Sequence, residues 1–356
     1  MSRPRLRDLG ISIGVLTTGP LNALTDVPGV LVGHTTLIRD EPRVARTGVT
    51  MITARDNQIW SDYCFAGWHR FNGNGEMTGI PWLDESGLLG SAIGITNTHQ
   101  VGLVRDALVR YAVNSGVPTA FHLPVVAETW DGLLNDIDAF HVTEADALNA
   151  LASATGGSVP EGSVGGGTGM ICHEFKGGIG TASRLADTPL GRFTVGVLVQ
   201  ANYGARQSLR IDGVPVGRMI DTKQIPSPYQ NQTDSGSIIV IVATDAPLIP
   251  VQCRRLARRA TVGLARVGGV GADSSGDLFL AFATGNHVPA GSKRLYDLAM
   301  LPHDFMTPLF SATAEATEEA ILNALCGAED MTGFRGNTAY ALPQDELAGI
   351  MKKRFW

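Results

Sequence analysis

The chain has 356 residues, 44% of them hydrophobic and 17% charged, which is enough to bury a large core within one α/β domain. The net charge of -6 lacks the basic excess that binding to a nucleic-acid backbone requires, so we expect no nucleic-acid partner. No run of about 18 apolar residues predicts a membrane-spanning helix, and the glycine-broken segment 11–16 is too weak for a signal sequence. We therefore expect a cytoplasmic protein that makes no membrane contact.

Six short segments are predicted as buried strands, because they are rich in β-branched residues and bounded by turn formers. In chain order they are 30–32, 47–52, 93–96, 194–200, 238–243 and 278–284. Their continuous apolar runs indicate sheets that are covered on both faces.

Helical periodicity predicts helices at 101–113, 251–266, 313–326 and 345–354. In 251–266 the arginines face away from the apolar stripe, which predicts a solvated helix face rather than an anion site (Arg254, Arg255, Arg258 and Arg259). In 313–326 three glutamates are expected near the helix start, where the helix dipole favours acids (Glu315, Glu318 and Glu319). Segment 211–236, with three prolines among polar residues, is predicted as an exposed loop that leads into a buried strand.

Two glycine-rich segments, 165–169 and 177–180, do not fit a phosphate-binding motif. A P-loop requires lysine and then Ser/Thr after its last glycine, whereas Met170 follows Gly169, and the spacing of a dinucleotide fingerprint is absent. We expect these glycines to allow close backbone packing beside a site or to form tight turns.

Motifs for metal binding and for the hydrolase nucleophile elbow are also missing. The four cysteines form no C-x-x-C pair, and the eight histidines form no H-E-x-x-H motif. G-x-S-x-G is absent as well. The sequence predicts buried free thiols and requires neither a metal nor a cofactor.

The Gly236-Ser237 pair stands where a polar loop changes into a buried strand. A small polar residue at such a transition is most often structural. A Gly-Ser bond in an exposed loop is, however, open to attack by the serine hydroxyl, an N-to-O acyl shift that ends in chain cleavage. Cleavage frees an α-amine beside the hydroxyl, which supplies a nucleophile and a base of pKa about 8 at one residue.

Segments along nearly the whole chain resemble the DmpA family of self-processing serine aminopeptidases, which includes L-aminopeptidase/D-amidase/esterases and β-peptidyl aminopeptidases. The longest is GSIIVIVATDAPL at 236–248, which is similar to the start of that family's small subunit. The others, in chain order, are NALTDVPGV at 22–30, VGHTT at 32–36, NGNGEMTG at 72–79, PVVAETWD at 124–131, 165–170, FKGGIGT at 175–181, 195–202 and MTG at 331–333.

The resemblance implies that the chain cuts itself before Ser237, giving a large subunit 1–236 and a small subunit 237–356. Ser237 would then serve as nucleophile in both self-cleavage and catalysis. The family's second serine and the acid two residues later match Ser275 and Asp277, which would orient the nucleophile and assist proton transfer. Some relatives have glutamate at the acid, so Asp277 is one methylene shorter.

Three further residues match the family's substrate site. The resemblance implies that Asn202 donates to the oxyanion and that Glu128 pairs with the substrate's free amino group. Trp130 stands where other members have tyrosine or leucine, and an indole cannot place a donor as a tyrosine hydroxyl does, which leaves it a role in pocket shape. We expect 72–76 and Asn97 to line the pocket as well, and 64–70 to be a loop that closes it.

The implied fold is a four-layer α/β/β/α sandwich of the DmpA/ornithine acetyltransferase type, with two packed sheets between helices. The implied activity is release of N-terminal residues from short peptides, amides or esters through an acyl-enzyme, by a tetramer of cleaved heterodimers. Two alternatives stay open at this point. One is an acyltransferase of the ornithine acetyltransferase type, which usually cuts before threonine, and the other is a non-catalytic binding protein that keeps the fold.

Overall fold

The strands of the computed structural model, which describes residues 3–117, 119–229 and 236–353, form two main sheets. In chain order the strands are β1 (Leu31–Arg39), β2 (Ala45–Thr53), β3 (Asp62–Gly73), β4 (Leu88–Leu89), β5 (Ile93–Asn97), β6 (Val125–Thr129), β7 (Ile171–Cys172), β8 (Phe175–Lys176), β9 (Gly178–Thr188), β10 (Gly191–Asn202), β11 (Ser237–Thr244), β12 (Gly276–Pro289), β13 (Met331–Thr332) and β14 (Thr338–Ala339). The smaller main sheet has the order β1-β2-β5-β6 and the larger the order β4-β3-β12-β11-β10-β9. β7 pairs with β8 and β13 with β14 in two small hairpins.

Helices cover the outer face of each main sheet. The α-helices of the described residues are α1 (Ile80–Ser86), α2 (Val101–Asn114), α3 (Glu144–Ala152), α4 (Val216–Met219), α5 (Pro250–Val267), α6 (Thr307–Gly327) and α7 (Gln344–Lys352). α2 and α3 pack on the four-stranded sheet, and α5 and α6 pack on the six-stranded sheet. The predicted α/β/β/α sandwich is therefore confirmed. Within the described part of the chain, no helix combines the length and apolar character needed to cross a bilayer.

Strand β11 shows how the layers are built, since its side chains alternate between two cores. Ile238, Val240 and Val242 pack with the helix layer of α5 and α6. Ile239, Ile241 and Ala243 pack between the two sheets. Both faces of this strand are buried, which explains why its sequence is a continuous apolar run.

Most predicted elements are confirmed, with boundaries that extend beyond the predicted ones. Five of the six predicted strands and three of the four predicted helices lie within strands or helices of the structure. The predicted strand 30–32 starts one residue before β1, and the predicted helix 345–354 continues past the end of α7 at Lys352, with residue 354 outside the described residues. The predicted loop 211–236 contains the short helix α4, and its residues 230–235 are likewise outside the described part. The expectation of a pocket-closing loop at 64–70 is wrong, because this segment belongs to β3 and pairs with β12.

The three glutamates expected at a helix start lie instead in the middle of α6, which begins at Thr307. Glu319 is fully buried and binds Arg184 of β9 at 2.6 Å and Arg7 at 2.7 Å. Burial alone would raise the pKa of Glu319, but the two guanidinium groups hold it below its usual value. Glu315 and Glu319 therefore join the helix to the sheet and the N-terminal segment, and Glu318 binds Arg266 of α5 at 3.3 Å, rather than balance the helix dipole.

Glycines allow the layers to approach closely. A β-carbon at Gly180 of β9 would lie 1.9 Å from the carbonyl oxygen of Ala320 in α6. A β-carbon at Gly166 would lie 2.7 Å from the carbonyl oxygen of Ile95 in the other sheet. The expectation that the two glycine-rich segments serve close packing is confirmed at these positions.

The substitution Gly180→Ala is expected to destabilise the protein by about 1–3 kcal/mol, because the new methyl group overlaps helix backbone that cannot rotate away. Thermal unfolding should show a Tm lowered by several degrees. Gly102→Ala is the matched control, since a β-carbon at this exposed position in α2 meets nothing within 4 Å. Its Tm should be unchanged or slightly raised, and an equal loss in both variants would contradict the packing argument.

Candidate active site

A cavity of about 530 Å³ opens at one end of the space between the two main sheets. It lies where β10 ends and β11 begins in the six-stranded sheet and beside the end of β6 in the four-stranded sheet, so residues from both sheets meet there. Its lining residues are Asn74, Gly75, Glu76, Thr98, Glu128, Trp130, Asn202, Tyr229, Gly236, Ser237 and Ser274. Eight of the residues singled out from the sequence therefore line one cavity: Asn74, Gly75, Glu76, Glu128, Trp130, Asn202, Gly236 and Ser237.

The strand register determines which residues flank Ser237 in the six-stranded sheet. Ser237 of β11 pairs with Asn202 of the antiparallel strand β10 and with Gly276 of the parallel strand β12. Ser237 shares its strand face with Ile239 and Ile241, so its side chain is directed to the space between the sheets. The serine at the start of the apolar run is therefore a pocket residue.

The backbone N–H of Gly276 contacts both the Ser237 hydroxyl and the preceding carbonyl group. It donates to Ser237 Oγ at 3.0 Å and to the Gly236 carbonyl oxygen at 3.3 Å. Because Oγ accepts this bond, its own hydrogen stays available to a base. One N–H group thus holds together the hydroxyl and the carbonyl of the Gly236–Ser237 bond.

Gly236 occupies a position that no other residue fits. Its φ of 134° lies in the region that side chains disfavour, and a β-carbon there would lie 2.1 Å from the Asn202 carbonyl oxygen. Glycine therefore brings the backbone before Ser237 directly against the end of β10.

The side-chain amide of Asn202 is fixed at both ends. The N–H of Ile171 donates to its Oδ1 at 2.8 Å, and its Nδ2 donates to the carbonyl oxygen of Trp130 at 2.9 Å. An amide nitrogen carries two hydrogens, so the second one remains for a ligand in the cavity. Asn202 is 4% exposed, which makes that hydrogen a donor in a largely dry site.

Glu128, in β6, presents a buried carboxylate to the same cavity. Its Oε1 accepts from the backbone N–H of Glu76 at 2.9 Å, and its Oε2 accepts from the Thr98 hydroxyl. Burial raises the pKa of Glu128, while the hydrogen bonds from Thr98 and Glu76 act to lower it. A cationic ligand would supply the charge partner that this carboxylate lacks in the cavity wall.

The cavity wall is acidic as a whole. Glu76 lies at its exposed edge, and its charge also acts to raise the pKa of Glu128. Among the described residues that line the cavity there is no lysine, arginine or histidine. Such a wall favours a ligand that carries an ammonium group.

Ser275 and Asp277 lie beside Ser237 but outside the cavity. Ser275 Oγ donates to Asp277 Oδ1 at 2.6 Å. Asp277 alternates with Leu278, which packs between the sheets, so its side chain is directed to the helix layer. Both residues line a separate cavity of about 10 Å³ with Tyr203 and with Leu264 of α5.

Other residues proposed for the pocket divide into two groups. Trp130 lines the cavity and is 46% exposed, and its backbone also contributes, through the carbonyl that binds Asn202. Within 72–76, Asn74, Gly75 and Glu76 line the cavity. Asn72 instead binds the carbonyl oxygen of Ser275, and Asn97 caps the turn that follows β5.

Four contributors were not predicted as site residues from the sequence. Thr98 binds Glu128, Tyr229 and Ser274 line the cavity, and the N–H of Gly276 binds Ser237. Thr98 follows a predicted strand directly, so its place at a strand end was a usable signal. Tyr229 lies in the segment predicted as an exposed loop. The contact from Gly276 is made by a backbone N–H, and the residue type does not indicate where such a group donates.

Comparison with known proteins decides the family. The model of peptidase family S58 matches residues 22–339. The chain belongs to peptidase family S58.

Two curated relatives in this comparison are named beta-peptidyl aminopeptidase BapA. The protein from Sphingosinicella microcystinivorans is 45% identical, covering 98% of this chain and 92% of that protein, and the one from Sphingosinicella xenopeptidilytica is 43% identical, covering 100% and 92%.

Solved structures agree with this S58 assignment. A beta-aminopeptidase from a Burkholderia species matches with a TM-score of 0.93 and 52% identity over 99% of each chain. The L-aminopeptidase D-Ala-esterase/amidase from Ochrobactrum anthropi matches with a TM-score of 0.91 and 43% identity over 99% of each chain. Its structure is described as a variant of the Ntn hydrolase fold.

The resemblance to the DmpA family is therefore confirmed, and the chain is a serine aminopeptidase of family S58. Neither of the two alternatives, an ornithine acetyltransferase-type enzyme or a non-catalytic binding protein, receives support from these relatives.

Proposed function

We propose that this aminopeptidase acts through Ser237, which first cuts the Gly236–Ser237 bond and then forms the acyl-enzyme with substrate. The observation that carries the proposal is the shared N–H of Gly276, which contacts both the Ser237 hydroxyl and the carbonyl oxygen of Gly236. Cleavage would give a large subunit 1–236 and a small subunit 237–356. The free α-amine of Ser237 then lies beside its own hydroxyl and can accept the proton.

In the proposed reaction the Ser237 hydroxyl oxygen attacks the carbonyl carbon of the substrate's N-terminal residue, and the α-amine takes the hydroxyl proton. The spare hydrogen of Asn202 Nδ2 and the N–H of Gly276 stabilise the oxyanion. The peptide C–N bond breaks, and the leaving amine takes the proton from the α-ammonium. Water then attacks the ester, releases the N-terminal residue and restores the hydroxyl.

Ser275 and Asp277 are proposed to act on the main chain of Ser237 rather than on its hydroxyl. Their paired side chains lie on the helix side of the sheet, opposite the face that carries the hydroxyl. The new α-amine is a main-chain group and can be approached from that side. The pair would hold the amine in position and tune its affinity for the proton.

Substrates are proposed to be short peptides, amides or esters with a free N-terminal amine, because the ammonium group fits the carboxylate of Glu128. A buried carboxylate left without a cation is penalised, so substrates with a blocked N-terminus should bind weakly. We further propose that β-amino acids are accepted at the N-terminus, in line with the names of the 45% and 52% identical relatives. Trp130 would limit the size of the accepted residue.

We also propose a cytoplasmic enzyme that assembles as a tetramer of cleaved heterodimers. All four cysteines are free and buried, as is usual in a reducing compartment. Large apolar side chains remain exposed on a single chain, among them Phe121 at 61% and Leu295 at 98%. Contacts between copies would cover such surface.

Ser237→Ala is expected to abolish hydrolysis of β-alanyl, L-alanyl and D-alanyl anilides, because no other group replaces the hydroxyl. Ser292→Ala, which removes an exposed hydroxyl away from the cavity lining, is the matched control and should keep the wild-type kcat. The rates of the wild-type enzyme on the three anilides identify the preferred residue. Turnover by the Ser237→Ala variant near the wild-type rate would show that the nucleophile is wrongly assigned.

Thr98→Val is expected to move the acidic limb of the kcat/KM profile to higher pH. Burial already raises the pKa of Glu128, and the lost hydrogen bond removes a contribution that lowers it. Protonated Glu128 cannot pair with an ammonium group, so kcat/KM falls as pH drops through this raised pKa. In Glu128→Gln the contribution of Glu128 to the limb should disappear, leaving the titration of the Ser237 α-amine, and kcat/KM should drop about tenfold or more at neutral pH. A kcat/KM of Glu128→Gln equal to that of the wild-type enzyme at neutral pH, together with an unchanged limb in both variants, would rule out Glu128 as the amine-binding group.

A further inference from the structure

Lys176, the last residue of β8, is a fully buried lysine that the proposed reaction does not use. Its Nζ donates to the carbonyl oxygens of Met170 and Gly177, each at 2.8 Å, and to that of Gly167 at 3.4 Å. Among the described residues no carboxylate forms an ion pair with it. Lysine is almost never fully buried without partners, so these backbone contacts account for its place.

The carbonyl group of Met170 belongs to the same peptide unit as the N–H of Ile171. The Met170 carbonyl oxygen accepts two hydrogen bonds, one from Lys176 Nζ at 2.8 Å and one from the N–H of Gly177 at 2.9 Å. A peptide unit is planar, so fixing the direction of the carbonyl also fixes the direction of the N–H on its opposite side. That N–H donates to Asn202 Oδ1 at 2.8 Å.

The contacts from Ile171 and Trp130 together decide which end of the Asn202 amide faces the cavity. A backbone N–H can only donate, so it selects Oδ1 and leaves Nδ2 for the Trp130 carbonyl and the cavity. A rotation of the amide by about 180° would place an acceptor oxygen where negative charge develops. The orientation of this amide therefore depends on two backbone groups, the Trp130 carbonyl and the N–H of the Met170–Ile171 peptide unit.

We propose that Lys176 is a positioning residue for catalysis, which fixes the Met170–Ile171 peptide unit and through it holds Asn202 with Nδ2 directed at the oxyanion. This inference rests on the proposed oxyanion role of Asn202. It gives a function to the FKGGIGT segment at 175–181, whose lysine no phosphate motif explains.

The two short hydrogen bonds persist in either charge state of the lysine. Burial lowers the pKa of Lys176 to about 7, and the nearest titratable influence on it is the Cys172 thiol, whose pKa burial raises to about 12. An ammonium group donates three hydrogen bonds and a neutral amine two. The positioning role therefore does not require the lysine to be charged.

A double-mutant cycle tests the link, using Lys176→Met, Asn202→Ala and the combined variant in the full chain. Lys176→Met alone should lower kcat on an alanyl anilide about tenfold or more, with little change in KM, because the misplaced donor acts on the transition state. In the Asn202→Ala background the same change should lower kcat less than twofold. Losses that multiply in the double variant would overturn the proposal.

Cys172→Ala is the matched control, since it truncates a fully buried side chain in the same hairpin without removing a donor to Met170. Its effect on kcat should be small and should multiply with that of Asn202→Ala. If Asn202→Ala alone leaves kcat unchanged, the proposed oxyanion role itself fails. That result differs from kcat losses that multiply in the double variant. Multiplying losses would contradict only the proposal that Lys176 acts through Asn202.

A crystal structure of Lys176→Gln tests the proposal without an activity measurement. It also provides a second variant if Lys176→Met does not fold. Glutamine is shorter than lysine, so it cannot reach both carbonyl groups. We expect the Ile171 N to Asn202 Oδ1 distance to lengthen beyond hydrogen-bonding range, or the amide to rotate. An unchanged contact at 2.8 Å would overturn the proposal.

Discussion

The site depends on one constraint, the pairing of Ser237 with Asn202 on one side and with Gly276 on the other. Side chains alternate along β11, so a shift of one residue would turn the Ser237 hydroxyl from the inter-sheet cavity to the helix layer. The register is protected because both faces of β11 are buried in apolar cores. A large hydrophobic structure thus fixes the direction of a single hydroxyl.

Backbone groups hold most of the functional side chains of the site. The N–H of Gly276 binds the hydroxyl, the N–H of Ile171 and the carbonyl of Trp130 hold the Asn202 amide, and the N–H of Glu76 binds Glu128. Such groups have positions set by the strands and turns that carry them. They therefore need no rearrangement as charge develops on a substrate, which is the property that the proposed oxyanion site requires.

The sequence predicted those elements that are determined by the local pattern of residues. The apolar runs predicted β11 and the core of β12, and the arginine face of α5 followed from helical periodicity. The strand at 64–70 was mistaken for a loop because its side chains are a mixture of buried and partly exposed residues. The glutamates of α6 were misassigned because their partners Arg184 and Arg7 are distant in sequence. Family resemblance supplied the cavity residues, but the helix-side location of Ser275 and Asp277 required the structure.

The central claim is that the active protein has been cut before Ser237 and that this residue carries a free α-amine. Mass spectrometry of freshly purified, active enzyme under denaturing conditions tests it most directly. We expect two polypeptides, residues 1–236 and 237–356, whose masses together exceed that of the uncut chain by one water. Full activity in a preparation that contains only the uncut chain would contradict the account.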